Sequence, residues 1–248
     1  MAKYRILCLG GGGLRGLITA RLLARLNTHP QVAGWLSTVD LFAGTSTGGI
    51  LALGLACGKT PEEICTVYKE RGGVIFDDSI WDNLRDLGKT VGADYSSKGL
   101  KAELKAVFGD LKLRDIPRKV AIPTFDLDNE EVAAKRTWKP KIFHNFKGAD
   151  SDGEQLVAHI AQYTSSAPTY FPSADGYIDG GVYANNPSIV ALAQAISRRN
   201  QPAERAALDE VVMLSLGTGV SLTYINGQTL DWGYAQWAQP LINVLMDG

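Results

Sequence analysis

Short apolar runs alternate along this chain with longer stretches of helical periodicity. Runs at 4–9, 39–43, 118–126, 140–145, 176–179 and 210–216 are strand-length and bounded by turn-forming residues. Residues 14–26 place Leu14, Leu17, Ile18, Leu22, Leu23 and Leu26 at three-and-four spacing, with Arg15, Arg21 and Arg25 off that stripe, which predicts an amphipathic helix. Ile50 to Ala56 is almost wholly apolar and predicts a buried helix. Thr60-Pro61-Glu62-Glu63 predicts a helix start: an N-cap threonine, a proline at the first position and a glutamate three residues on. Residues 97–108, 154–166 and 186–199 also read as helices, and 231–248 as an amphipathic helix interrupted at Pro240. Strands alternating with helices predict an α/β layer architecture with a mainly parallel sheet, in which ligands gather at the carboxyl ends of strands.

No repeat, low-complexity tract or Pro/Ser-rich linker divides the chain, so residues 1–248 read as one domain. The least regular stretch, 72–95, carries Val74, Ile75, Phe76, Ile80 and Trp81 among Asp and Gly. It reads as an irregular excursion packed on the core, with a mobile cap or lipid-facing rim as the other reading. The chain ends on an apolar helix with nothing after it, so a native C-terminal extension is expected.

Composition narrows the function classes. The chain is 45% apolar and 21% charged, ordinary for a soluble enzyme. A formal net charge of −1 provides no basic field for nucleic acid or an anionic surface, and the pair Arg198-Arg199 reads as a solvated helix end. Cys8, Cys57 and Cys65 are odd in number, fit no metal spacing and sit in apolar stretches, so they read as core thiols in a reducing compartment. The first run is too short for a signal-peptide core, and nothing approaches the roughly 18 apolar residues of a membrane span. The expected location is cytoplasmic.

Three stretches carry candidate chemistry. Gly44-Thr45-Ser46-Thr47-Gly48 is a G-x-S-x-G directly after a predicted strand and before the buried helix. A serine there is strained and exposed, and small neighbours such as Gly44, Gly48 and Gly49 make room for it. The bland alternative is a polar turn. Gly10 to Gly13, followed by Leu14-Arg15-Gly16, opens the first helix with convergent N–H groups. Either a dinucleotide pyrophosphate or the oxyanion of an acyl intermediate could use that nest. The dinucleotide reading wants an acidic residue ending the second strand, and Asp40 lies before the closing residues Leu41-Phe42-Ala43 rather than at the strand end. A serine nucleophile also needs a base. His29, His144 and His159 are the three histidines, and none falls on a late loop, which disfavours a triad. Tyr177-Ile178-Asp179-Gly180-Gly181 offers a carboxylate at a strand end, with a turn aspartate as the alternative reading.

The three stretches in this order resemble the patatin-like phospholipase family, whose pattern is D-G-G-G-x-R-G, then G-x-S-x-G, then a late D-G-G or D-G-A. The stretches from Thr164 to Pro172 and from Leu214 to Gly219 look similar as well. The resemblance implies a three-layer α/β/α fold and a lipid acyl hydrolase, with phospholipids, galactolipids or neutral acylglycerols as substrates and transient contact with a membrane surface. It implies a Ser46–Asp179 dyad forming a covalent acyl-serine, with no metal, calcium or other cofactor. Gly11, Gly12 and Gly13 would form the oxyanion hole, with Arg15 holding that loop, and Gly44 and Gly48 would flank the nucleophile. One departure is that Gly10 stands where the family has aspartate, which raises the question of what holds the loop. A nucleotide-binding module and a catalytically idle interaction domain are the rival readings.

Overall fold

The computed structural model describes residues 3–75, 97–168, 170–220, 222 and 224–247. Among these residues six strands form one mixed sheet: β1 Tyr4–Leu9, β2 Leu41–Gly44, β3 Lys119–Asp126, β4 Lys139–His144, β5 Tyr177–Asp179 and β6 Val211–Leu216. Each lies where an apolar run predicts it. The order is β4-β3-β2-β1-β6, with β5 also paired to β3. The pairs β6–β1, β1–β2 and β2–β3 are parallel. Strands β4 and β5 run antiparallel to β3.

Helices cover both faces of the sheet. They are α1 Gly16–Thr28, α2 Thr47–Ala56, α3 Pro61–Ile75, α4 Ser97–Phe108, α5 Val157–Ser165, α6 Gly181–Ala184, α7 Ser188–Ala195 and α8 Tyr234–Asp247. On one face Leu7, Leu9, Phe42, Val120 and Ile122 pack against Leu23, Leu51, Leu53, Leu100 and Ile160 from α1, α2, α4 and α5. On the other, Ile6, Cys8, Leu41, Ala43 and Ala121 lie under Ala191 and Ala195 of α7. Every residue of α2 is buried, which explains why its sequence is apolar all round rather than amphipathic. The start of α3 is the predicted capping box: Glu63 N–H donates to Thr60 Oγ1 at 3.1 Å and Thr60 N–H to Glu63 Oε2 at 2.7 Å.

The elements differ from expectation in several places. The buried stripe of α1 is Gly16, Thr19, Ala20 and Leu23, while Ile18 and Leu22 are 57% and 42% exposed. Small residues win that face because the helix approaches closely there: a Cβ on Gly16 would lie 2.3 Å from Thr47 Oγ1. The 186–199 segment forms a shorter helix, opening after Pro187 and ending at Ala195, where Asn200 Nδ2 donates to the Gln194 carbonyl at 2.6 Å. Arg198 and Arg199 lie in the exposed turn beyond it. Helix α8 continues through Pro240, which leaves one backbone bond unmade without ending the helix. Of the 72–95 stretch, 72–75 end α3, and the rest lies outside the described residues.

Leu51 is wholly buried beneath the sheet. Leu51→Ala is expected to lower unfolding free energy by about 2–5 kcal/mol, by lost transfer energy and an unfilled cavity. Leu22→Ala, on the open face of α1, is expected to change it by less than about 0.5 kcal/mol. Urea denaturation of the two variants checks the contrast.

Candidate active site

Strands β2 and β5 lie along the same flank of β3 and run toward each other. Strand β2 pairs with Lys119–Ala121 in parallel, and β5 pairs with Thr124–Asp126 in the opposite sense. Their carboxyl ends therefore meet across Ile122 and Pro123. A proline suits this gap, since it has no N–H to leave unpaired. Its carbonyl accepts the Thr164 hydroxyl at 2.7 Å. A Cβ on Gly180 would stand 2.3 Å from the same carbonyl, so only glycine lets the β5 end turn this close. In this way the register alone brings the G-x-S-x-G turn to Asp179.

Ser46 sits at the tip of that turn with φ 57° and ψ −130°, a backbone state costing about 1–3 kcal/mol for a residue with a side chain, but it is only 5% exposed, so the expected strain is present and the expected exposure is not. Its neighbours fix it. Ser46 N–H donates to Thr164 Oγ1 at 3.0 Å, and Thr45 Oγ1 donates to the Ala184 carbonyl at 2.7 Å. Thr47 Oγ1 bonds to the buried Tyr68 hydroxyl. The glycines are there for backbone approach: a Cβ on Gly44 would lie 2.0 Å from the Gly48 carbonyl, and one on Gly48 2.1 Å from the Leu9 carbonyl. Helix α2 starts at Thr47, so its positive end faces the serine.

Asp179 is fully buried. Oδ1 accepts the Gly181 N–H at 2.7 Å, while Oδ2 has no hydrogen-bond partner among the described residues. Burial pushes the carboxyl up to about 7, opposed by the Ser46 side chain and the Gly181 N–H. The serine is thus near enough to favour the charged carboxylate, although the pair makes no hydrogen bond of ordinary geometry.

The glycine loop lies against Ser46: a Cβ on Gly11 would come 3.2 Å from Ser46 Cβ and 2.2 Å from Asn185 Oδ1. The loop is tied down without an aspartate at position 10. Gly10 N–H donates to the Leu216 carbonyl at 2.9 Å and Gly11 N–H to the Asn185 carbonyl at 3.2 Å. Thr218 Oγ1 donates to the Gly11 carbonyl at 2.8 Å. Both the backbone N–H and Nε of Arg15 reach the Gly12 carbonyl, at 3.1 and 3.4 Å. The N–H of Gly11, which the resemblance places in the oxyanion hole, is therefore occupied by the fold itself. Those of Gly12 and Gly13 have no acceptor among the described residues.

Ser46, Asp179, Gly11 to Gly13, Arg15, Gly44 and Gly48 thus share one neighbourhood. The histidines do not join them. His144 lies in β4 with its pKa lowered by burial and Nε2 3.8 Å from Asp150, His159 stands beside Tyr163 on α5, and His29 ends α1. Among the described residues no three His, Cys, Asp or Glu side chains gather as metal ligands. Nor is any helix there long and apolar enough to cross a membrane. Sequence reasoning missed Thr164, Asn185 and Thr218 as supports. The only signal for them was that each lies in, or just beyond, a stretch already singled out.

The family model described as Patatin-like phospholipase matches residues 7–192. Protein teg of Priestia megaterium is 32% identical over 235 residues, covering 94% of this chain and 69% of that protein. The putative sporulation hydrolase CotR of Bacillus subtilis is also 32% identical over 235 residues, covering 94% and 68%. A cGAMP-activated phospholipase of Vibrio cholerae is 33% identical over 234 residues, covering 87% of this chain and 64% of that protein.

The raised Asp179 pKa has a stability consequence. Below the ordinary carboxyl range the group is protonated in both folded and unfolded chains. Between about 4 and 7 the unfolded chain ionises and the folded one does not, so this group's contribution to stability falls as pH rises, then levels above 7. Asp179→Asn is expected to stabilise the fold at pH 8 and to have little effect at pH 4, as read by thermal unfolding at the two pH values.

Proposed function

The chain belongs to the patatin-like phospholipase family, and from that premise we propose that it hydrolyses acyl lipids through Ser46 and Asp179 by way of a covalent acyl-serine. One observation carries this reading: a buried carboxylate with an unpaired oxygen beside a serine held in a strained turn. Asp179 takes the Ser46 hydroxyl proton as the serine oxygen attacks the ester carbonyl. The carbonyl oxygen becomes an anion facing the N–H groups of Gly12 and Gly13, where one well-placed donor is worth about 3–4 kcal/mol. Asp179 returns the proton to the departing alcohol as the tetrahedral adduct collapses. It then takes a proton from water, which attacks the acyl-serine, and the second collapse releases the fatty acid and restores the serine hydroxyl. A base with a pKa near 7 is suited to both half-reactions at neutral pH.

The substrate we assign is a phospholipid or related acyl lipid, met at a membrane surface by transient contact. Helix α8 supports that assignment. Its Met246 sits against Gly181, where a Cβ would lie 2.6 Å from the sulfur, and Leu241, Val244 and Leu245 nearby are about half exposed. A dinucleotide at the glycine loop is disfavoured because the loop faces Ser46 and β2 ends in Gly44, with no acidic residue to hold a ribose.

Ser46→Ala and Asp179→Ala are each expected to lower hydrolysis of a medium-chain nitrophenyl ester by more than about a thousandfold while the protein stays folded. Retained activity in either variant removes that residue from the dyad. A fluorophosphonate probe is expected to label Ser46, and absence of labelling favours the idle-domain reading. His159→Ala is expected to be silent, and a large loss would revive a histidine base. The pH–rate profile supplies a separate check: kcat/KM is expected to rise with pH up to about 7, as Asp179 loses its proton, and then to level.

A further inference from the structure

Each N–H of the glycine loop belongs to a peptide unit whose carbonyl is the preceding residue's. A trans peptide is planar, so its C=O and N–H point in opposite directions. Whatever grips the carbonyl of Gly11 therefore aims the N–H of Gly12. Whatever grips the carbonyl of Gly12 aims the N–H of Gly13. Arg15 performs the second task from within the loop. The first is performed from 207 residues away, by the hydroxyl of Thr218 just beyond β6.

Glycines alone would not keep this arrangement. Gly12 has φ 150°, and a glycine on either side of the Gly11–Gly12 peptide lets that unit rotate at little steric cost. The bond at 2.8 Å from Thr218 Oγ1 is the contact that opposes rotation, and Thr218 is itself only 4% exposed. Water therefore competes weakly for the hydroxyl. The fit is close: a Cβ on Gly12 would lie 2.1 Å from Thr218 Oγ1. Gly217, one residue earlier, is anchored by Thr19 Oγ1, which donates to its carbonyl at 2.8 Å. Helix α1, the end of β6 and the loop are thus tied into one unit.

The geometry points to Thr218 as a positioning residue for the oxyanion site, one that fixes the Gly12 N–H toward the reacting carbonyl by locking the peptide in front of it. The inference rests on the acyl-hydrolase reading for its effect on rate. It does not rest on that reading for its effect on structure. Thr218→Val removes the hydroxyl and keeps the shape, and Thr218→Ser keeps the hydroxyl and loses only a methyl.

With a nitrophenyl ester, Thr218→Val is expected to lower kcat about 10- to 100-fold, less than removing a donor outright, and to leave KM within about threefold. Fluorophosphonate labelling of Ser46 is expected to slow in parallel. Thr218→Ser is expected to recover kcat to within about threefold of the parent. A Val variant with kcat within about twofold of the parent, or a Ser variant as slow as the Val variant, overturns the inference. A parent protein inactive on acyl esters defeats the proposed reaction instead, and crystal structures of the two variants then decide on the lock. The Gly11 carbonyl turned away from position 218 in the Val variant, and held in the Ser variant, supports it. The same orientation in both refutes it.

Discussion

The site depends on one crossing of register. Strand β3 is long enough to carry two partners on one flank, and those partners approach from opposite ends. The first delivers the strained serine and the second delivers the carboxyl. Pro123 occupies the interval between them, where a residue with an N–H would leave a donor unpaired. Thr164 spans that interval, giving its proton to Pro123 and accepting the N–H of Ser46. A slip of either strand by one residue would turn Ala43 or Ile178 to the other face and separate the two groups.

Both catalytic candidates stand in conditions that oppose folding. Ser46 holds a backbone state that favours glycine, and Asp179 holds an unpaired oxygen away from water. The surroundings that tolerate this are deeply buried. Helix α2 is buried on every side, and β1 and β2 have apolar neighbours on both faces. Strain of this kind persists where the frame around it is over-determined.

Much of this was legible in the sequence, and the reasons differ by element. The strands could be read because buried strands are continuous apolar runs with turn residues at their ends. The serine turn could be read because Gly44 and Gly48 are required by backbone contacts, which leave a fixed spacing. Strand direction could not: nothing in 140–145 or 176–179 states that those strands oppose β3. The buried face of α1 was also hidden, since Gly16, Thr19 and Ala20 are chosen for closeness rather than for hydrophobicity. Thr164, Asn185 and Thr218 act through single polar contacts between distant segments, and such contacts leave no periodic trace.

Gly10 gives the loop a consequence of its own. Its nearest neighbours to a side chain would be Gly217 Cα at 3.5 Å and two carbonyl oxygens at 3.7 Å, so the position has room for more than glycine. Leaving it bare means that the loop is moored by carbonyls, a hydroxyl and the Arg15 cation, and brings no anion of its own. Under the proposed chemistry the centre then carries one mobile negative charge throughout. It resides on the aspartate at rest and on the substrate oxygen at the summit of the barrier, and a dry interior is never asked to hold two at once.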